Sequence, residues 1–479
     1  MSLASKTVHG LFWMSFSHVS IKLINFIITV ILARILEPED FGLFALGLMF
    51  VYFFEIFRDL GIGSALIYKE DDVDKAANTA FFLFPSVAIF FFLISYFVAP
   101  LVSDFFNEEQ LTIILRVLSL SFVIWSFGTL PSILLDKNLE FKKQVFRQVA
   151  PKIIYGIVTV GLAISGFGVW SLVIGTLVFW LLSAIITWPL VDWRPSYKFD
   201  ASTAFELLKY GKQVAIANVI LFFISTVDLS FIGRILDTGS VGYYSIAIGI
   251  ATLVTNQVSG VMNRVMFPVY SIIKTDTIYL KDVFVRTVRY VSLVTIPAAF
   301  GVFLIARDFI EVVYGDKWLP AVAALQVLCF YGMTKSLVET TDNLYLASGK
   351  PEIRTRFNFL QLFLMSVLIY PLTVHYGIFG TSLAVLMPSA LVVILTFRKA
   401  GKLIDENFMY IAGSIAPFVK GSLLMLAGVS LMQYVMYPIV SSVFVLVLSI
   451  ILGASIYSAF IWLAKREIFY EIRSLMLKK

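Results

Sequence analysis

Basic side chains interrupt the long apolar stretches of this 479-residue chain at seven positions. An ionisable group inside a bilayer costs roughly 3 kcal/mol or more, so it is expected to face a wet cavity or a partner. Several bases that line one cavity would bind an anion through charge-assisted hydrogen bonds. The seven positions are Lys22, Arg58, Arg116, Lys152, Arg264, Lys335 and Lys420.

Depth along the helix, at about 1.5 Å per residue, separates these bases into two groups. Lys22 lies near the middle of its apolar stretch, whereas Arg58, Lys335 and Arg264 lie nearer one end. These four are the predicted ligands of an anion. Snorkelling to the membrane surface is the alternative role for Arg264 and the expected role of the other three bases.

Five acidic residues lie in the same stretches. Most of them form two clusters, one around Arg58 and one on the helical face of Lys335, where the spacings allow intrahelical ion pairs. The acids either neutralise a polar stripe that faces the cavity or bind a coupling proton or Na⁺. Asp228 is the best candidate for ion coupling, because no Lys or Arg lies within one turn of it in the sequence. The five acids are Glu55, Asp59, Asp228, Glu339 and Asp342.

The composition excludes several other chemistries. The chain is 59% hydrophobic and 14% charged, whereas a soluble protein is roughly 25% charged. A water-soluble enzyme, a disordered chain and a disulfide scaffold are therefore excluded. One Cys and three His leave no basis for a disulfide within the chain or for a Cys-based metal site. No metal and no cofactor are expected.

Membrane helices must position these side chains. Because a membrane helix needs about 20 mostly apolar residues, the sequence predicts fourteen spans joined by short loops. They run near residues 11–34, 41–67, 78–103, 111–134, 146–165, 168–191, 213–235, 241–268, 284–313, 320–347, 357–376, 379–397, 411–436 and 440–464.

The positions of Lys and Arg predict the orientation. With both termini in the cytoplasm, 26 of the 37 basic residues fall in the tails and inner loops and only 4 in the outer loops. This asymmetry accounts for the net charge of +6 without any nucleic acid. The loops leave no room for a folded domain outside the membrane.

An internal repeat divides the spans. Residues 31–37 recur, with conservative changes, as residues 231–237, and Gly42 recurs as Gly242. A second echo, at an offset of 211, relates the residues around Gly166 to later ones. Two six-helix units of the same topology would be related by an axis along the membrane normal and would enclose a cavity.

The predicted fold is therefore an all-α polytopic membrane protein of about fourteen transmembrane helices. Two six-helix bundles, related as a parallel repeat, surround a central cavity, and two C-terminal helices follow. The predicted boundaries are 1–200 for the N-terminal bundle, 201–403 for the C-terminal bundle, and 404–479 for the last two spans with a cytoplasmic tail.

Four motifs lie at the ends of predicted spans. Leu32–Phe44 closes the first span, Asp59–Gly63 the second and Phe267–Ser271 the eighth, and Tyr314–Trp318 connects the ninth and tenth. These motifs resemble those at the same places in the polysaccharide export flippases, the Wzx-like branch of the MATE-like (multidrug/oligosaccharidyl-lipid/polysaccharide, or MOP) superfamily. The resemblance is nearest to exporters of the colanic-acid or teichuronic-acid type, and it covers spans 1–12 better than the last two.

The resemblance implies a transporter rather than an enzyme. Such a protein flips undecaprenyl-diphosphate-linked oligosaccharide units from the inner to the outer leaflet of the bacterial plasma (inner) membrane, by alternating access, for export of a surface polysaccharide. The implied partners are the lipid-linked oligosaccharide, membrane lipids, a polysaccharide polymerase and an initiating glycosyltransferase. Proton or Na⁺ coupling is the implied energy source, without a cofactor.

Three alternatives stay open at this point. A multidrug or cation antiporter of the same fold would need more intramembrane acids than bases, but seven bases face five acids. A peptidoglycan-precursor flippase differs only in its cargo. A membrane glycosyltransferase, polymerase or ligase would display catalytic groups on a large outer loop, which the short loops do not provide. The charge balance favours an anionic cargo.

Overall fold

The computed structural model describes residues 20–58, 62–63, 66, 72–138, 140–196 and 198–467. These residues form helices and short turns, with no strand among them. Nine helices in the described ranges are long and apolar enough to cross a membrane. Large apolar side chains lie on the surface, including Phe97, which is 72% exposed. The chain is an all-α polytopic membrane protein, which confirms the predicted fold class.

Eight helices of nine residues or more lie in the described residues up to Ile235. Ser119 alone separates α4 from α5, so this pair forms one crossing. The eight are α1 (20–35), α2 (Pro38–Arg58), α3 (Val73–Phe106), α4 (Gln110–Leu118), α5 (Leu120–Lys137), α6 (Phe141–Ile164), α7 (Val169–Thr187) and α8 (Ala201–Ile235).

Seven helices follow, and they complete the crossings. They are α9 (Thr238–Ala251), α10 (Leu253–Ile273), α11 (Thr277–Phe309), α12 (Ala321–Ala347), α13 (Pro351–Leu403), α14 (Phe408–Met436) and α15 (Ser442–Ala464). Only Thr252 separates α9 from α10. At Gly377, with φ 58° and ψ −142°, α13 bends sharply into two crossings. The helices thus accommodate the fourteen predicted spans.

The chain folds as two compact units, Met1–Gly242 and Tyr243–Lys479. In the first unit, α8 packs against α2 and α3, so the unit ends one helix later than the boundary predicted at residue 200. In the second unit, α14 and α15 pack on α11 around buried Ile296 and Phe418. The boundaries derived from the repeat stay a prediction about how the spans are related.

The two copies of the repeat have helix ends and helix starts at corresponding residues. In the first copy, one helix ends at residue 35 and the next begins at Pro38. In the second copy, one helix ends at Ile235 and the next begins at Thr238. The offset is 200 in both cases. Asp237 explains the second start, because its carboxylate accepts a hydrogen bond from the backbone N–H of Ser240 at 2.6 Å.

Two repeat-related glycines lie against each other within the first unit. A Cβ atom added to Gly42 would lie 1.7 Å from the carbonyl oxygen of Thr238, and one added to Gly242 would lie 2.0 Å from that of Pro38. Both contacts are with backbone, which cannot rotate away. The starts of α2 and α9 therefore approach closely and symmetrically, and only glycine fits at these two positions.

Asp200 caps the start of α8. Its carboxylate accepts hydrogen bonds from the Ser202 hydroxyl at 2.6 Å and the Thr203 N–H at 2.8 Å, and it pairs with Lys75 of α3 at 3.0 Å. These partners, led by the Ser202 hydroxyl, hold the pKa of Asp200 well below its usual range. The cap fixes where the long helix begins beside α3.

Candidate functional site

α12 is the helix that positions the charged residues of the second unit. It packs against α10, α11 and α13, and most of its side chains are buried. Polar contacts join it to α13: the hydroxyls of Thr334 and Ser389 lie 2.8 Å apart, and the Tyr345 hydroxyl donates to the Thr396 carbonyl at 2.6 Å. Other buried hydroxyls of α12, those of Ser336, Thr340 and Thr341, donate to carbonyl oxygens of the same helix.

Lys335 projects from α12 towards α10. Its ammonium group donates to the side-chain oxygen of Asn256 at 3.4 Å, and the residue is half-buried. Arg264 lies eight residues after Asn256 on α10, about 12 Å along the helix, and its side chain lies outside what the structure describes. Two of the four predicted ligands therefore sit on two helices that pack together.

Asp342 pairs with a base of the next helix. Its Oδ2 lies 3.1 Å from Nε of Arg354 at the start of α13, and Asp342 is only 9% exposed. Between Lys335 and Glu339, both described, no ion pair is present. Of the intrahelical pairs that the spacing allows, the one between Lys335 and Glu339 is not formed, and the ion pair of Asp342 crosses to the next helix.

Arg354 was not among the predicted site residues, because it is one of the 26 basic residues that the sequence places in the tails and inner loops. Only a three-residue turn, 348–350, joins α12 to α13. In an antiparallel helical hairpin, residues at similar distances from the turn come close together, and Asp342 and Arg354 lie six and four residues outside it. The short turn was the signal that could have located this pair.

The predicted residues of the first unit are distributed over three helices. Lys22 lies on α1 and is exposed, and Glu55 is half-buried on α2. Arg58 is the last residue of α2, with a side chain outside the described structure, and Asp59 falls outside the described residues altogether. Asp228 is 2% exposed on α8.

Asp228 is buried on a helix that packs on α2. Its Oδ1 lies 2.8 Å from the backbone N–H of Leu229. Two residues further along, the Ser230 hydroxyl contacts the Met49 sulfur of α2 at 3.2 Å. Asp228 is therefore a carboxylate buried within the first unit, on a helix that contacts α2.

The bases near span ends have neighbours of their own. The Arg116 guanidinium lies 4.4 Å from the centre of the Tyr96 ring and donates to the Tyr96 carbonyl at 3.3 Å. The Lys152 ammonium lies 3.9 Å from the centre of the Tyr155 ring. Lys420 is exposed. Snorkelling stays a prediction for all three, and cation–π contacts add to the environment of the first two.

Residues that commonly bind metals are not grouped in the described part of the chain. Within it, no three His, Cys, Asp or Glu side chains are placed to hold a metal ion. Cys329 is buried in α12, where its thiol donates to the Gln326 carbonyl at 3.0 Å.

Comparison with known proteins decides the family. A family profile described as "Polysaccharide biosynthesis protein" matches residues 31–323, more than half of the chain. The chain belongs to this family. This polysaccharide biosynthesis protein is 24% identical to the lipopolysaccharide biosynthesis protein WzxC of Escherichia coli (strain K12), over 83% of this chain and 81% of the relative. It is also 24% identical to the teichuronic acid biosynthesis protein TuaB of Bacillus subtilis (strain 168), over 74% and 73%.

Solved structures share the fold. The lipid II flippase MurJ, in an inward closed conformation, superposes with a TM-score of 0.76, covering 96% of this chain and 100% of that one at 16% identity. An inward-facing MATE transporter of the MOP superfamily gives a TM-score of 0.64, over 85% and 99% at 13% identity. The fold is thus that of MOP-superfamily transporters, which confirms the resemblance inferred from the motifs.

Proposed function

We propose that this polysaccharide biosynthesis protein flips undecaprenyl-diphosphate-linked oligosaccharide units from the inner to the outer leaflet of the bacterial plasma membrane, for export of a surface polysaccharide. The family match carries the proposal. Relatives named for lipopolysaccharide and teichuronic acid biosynthesis, together with a fold shared along almost the whole chain with a lipid II flippase, support it. Alternating access moves the head group, and no covalent bond is made or broken.

The diphosphate carries about two negative charges and needs basic partners inside the membrane. The bases of the second unit are Lys335 and Arg264, and those of the first are Lys22 and Arg58. Lys335 is suited to this role because its described neighbour is the neutral amide of Asn256, which leaves its charge for a ligand. Arg354, in contrast, already faces the carboxylate of Asp342.

The test is leaflet exchange by the purified protein in liposomes. A fluorescent undecaprenyl-diphosphate oligosaccharide is placed in both leaflets, and dithionite bleaches the outer one. Wild type is expected to expose the inner pool, and Lys335→Ala to slow exchange about tenfold or more, in line with a lost charge-assisted contact. Lys335→Arg keeps the charge and should retain much of the rate.

Lys420→Ala is the matched control, because Lys420 is an exposed base on α14. Its exchange rate should equal that of wild type. If Lys335→Ala exchanges as fast as wild type, the diphosphate does not bind Lys335. If folded wild type exchanges no faster than empty liposomes, with or without an ion gradient, the flippase assignment is wrong.

Ion coupling is proposed for Asp228, the buried carboxylate of α8. Glu55, Glu339, Asp342 and Asp59 would then contribute to the polar lining of the pathway. A proton or Na⁺ gradient across the liposomes should accelerate exchange by wild type. Asp228→Asn should remove that acceleration and keep the rate without a gradient, whereas Asp228→Glu should restore part of it. An undiminished gradient effect in Asp228→Asn would place coupling elsewhere.

Both termini are proposed to lie in the cytoplasm, with the protein in the plasma membrane beside the polymerase and initiating glycosyltransferase that use and supply its cargo. Single-cysteine variants test the orientation. In a Cys329→Ala background, Lys317→Cys should react with a membrane-impermeant maleimide in intact spheroplasts, and Lys198→Cys only after permeabilisation. The reverse pattern would invert the orientation.

A further inference from the structure

A basic cleft lies where the two ends of α13 meet. The bend at Gly377 returns the end of this helix to its beginning. The cleft has a volume of about 530 Å³, and four bases and one acid line it. The bases are Lys350, Arg356, Lys399 and Lys402, and the acid is Glu352.

Glu352 is the one acid among the four bases of the cleft, so the described lining carries an excess of positive charge. All four are exposed, and none of them forms an ion pair with a carboxylate of the described residues. Two neighbouring bases do have partners within the protein. Arg354 pairs with Asp342, and the Arg398 guanidinium lies 5.8 Å from the centre of the Phe408 ring. The cleft therefore concentrates positive charge that an anion would neutralise.

The start of α13 reinforces this charge. Lys350 occupies the N-cap position, where a lysine cannot accept a hydrogen bond, and no side chain caps the helix. Glu352 and Ile353 of the first turn line the cleft. A helix N-terminus has partial positive charge and favours phosphate. The four bases and the uncapped helix end thus act on the same volume.

An apolar stripe continues from the cleft along the same helix. Phe359, Phe363, Val367 and Tyr370 follow Arg356 at spacings of three and four residues, so all five lie on one helical face. Each of the four is more than half exposed, with Phe363 at 65%. A positive cleft above an exposed apolar stripe on the same helical face matches the charged head group and the acyl chains of a phospholipid.

We propose that this cleft binds a phosphate-bearing membrane lipid. The head group lies among Lys350, Arg356, Lys399 and Lys402, and the acyl chains lie along Phe359 and Phe363. The site is separate from Lys335 and Asp342, so it does not depend on the transport proposal. Its occupant would hold the two ends of α13 together at the membrane surface.

Native mass spectrometry of the full-length protein in detergent tests the site. Wild type is expected to retain dioleoyl phosphatidylglycerol in preference to dioleoyl phosphatidylcholine. Lys399→Gln with Lys402→Gln should weaken phosphatidylglycerol binding about tenfold or more, since each base near the surface contributes to the attraction. The control, Lys142→Gln with Lys198→Gln, removes two exposed bases of the first unit and should change little. Equal binding by both double variants would overturn the proposal.

A second pair of variants tests the proposed contacts between the acyl chains and the apolar stripe. Phe363→Ser should weaken lipid binding, whereas Phe97→Ser, an equally drastic change at an exposed site on α3, should not. Inorganic diphosphate should compete only weakly, because it lacks acyl chains. If it binds as tightly as the lipid and Phe363→Ser has no effect, the cleft is a soluble-anion site and the lipid assignment is wrong.

Competition distinguishes the two lipid sources. Undecaprenyl diphosphate that displaces phosphatidylglycerol from wild type, but not from the Lys399→Gln, Lys402→Gln variant, would make the polyprenyl carrier an occupant of the cleft. Retention of phosphatidylglycerol against it would assign the cleft to bulk phospholipid. Both results support a phosphate-bearing lipid at this site.

Discussion

The two copies of the repeat use the same helix differently. At the offset of 211 residues, the start of α4 at Gln110 corresponds to the start of α12 at Ala321, and the end of α5 at Lys137 falls within one residue of the end of α12. At three positions of this crossing, the first copy has uncharged residues where the second copy has charged ones. The position pairs are Ile124 and Lys335, Gly128 and Glu339, and Pro131 and Asp342.

At the position of Glu339, the first copy has a close contact between two helices instead of a charged side chain. A Cβ atom added to Gly128 would lie 2.9 Å from the Cα of Ala184 on α7, so α5 and α7 are in close contact where α12 carries Glu339. Where the copies agree, we expect structural roles, and where they differ, functional ones.

The largest expected effect tests a position where the copies agree. Gly42→Ala should destabilise the protein by about 3 kcal/mol, because the new methyl group meets the Thr238 carbonyl and backbone must move. Gly242→Ala should behave alike. Gly249→Ala on α9, with open space around it, should be neutral or slightly stabilising. Thermal unfolding in detergent measures all three, and a harmless Gly42→Ala would contradict the close approach.

The next largest loss of stability is expected at Asp342, a position where the two copies of the repeat differ. Asp342→Asn should cost about 2 kcal/mol, less than a fully buried pair because Arg354 keeps 32% of its side chain exposed. Glu140→Gln removes the partner of Lys143 in the first unit, where both side chains are more than 30% exposed, and should cost at most about 0.5 kcal/mol. Equal losses in thermal unfolding would mean that the two ion pairs do not differ in burial.

A smaller effect is expected at α14, which has no counterpart in the first unit. The Tyr437 hydroxyl donates to both oxygens of Asp308, at 2.9 and 2.8 Å, and Asp308 is 2% exposed. Tyr437→Phe should therefore cost about 1.5 kcal/mol by leaving the carboxylate without this donor. Tyr434→Phe, at a site 82% exposed, is the control and should leave the unfolding temperature unchanged.

The smallest effect concerns the cap of α8. Because its pKa is depressed, Asp200 stabilises the folded state above its ordinary pKa of about 4, and this contribution is lost as the pH falls through the depressed value. Asp200→Asn should lower the unfolding temperature slightly at pH 7 and less in acid. The control is Asp276→Asn, which removes the carboxylate of another helix cap, one without an ion pair among the described residues. Identical pH profiles would contradict a role for Lys75.

Much of the fold was predictable because it depends on local sequence. Apolar stretches of membrane length predicted the crossings, and the match between residues 31–37 and 231–237 predicted helix ends that the structure repeats at the same offset. The candidate site was predictable only in part. Lys335 and Asp228 were recognised as intramembrane charges, but neither Arg354 nor Asn256 was recognised as a neighbour.

The sequence by itself determined the membrane class, the family motifs, the repeat and the set of charges that must avoid lipid. The tertiary structure alone decided that Asp342 faces Arg354, that Gly42 meets Thr238, and that Lys350 and Lys402 share one cleft. The reason is physical. Periodicity along a helix decides which side chains share a face, whereas a contact between helices depends on turn length, bends and approach distances of a few ångströms.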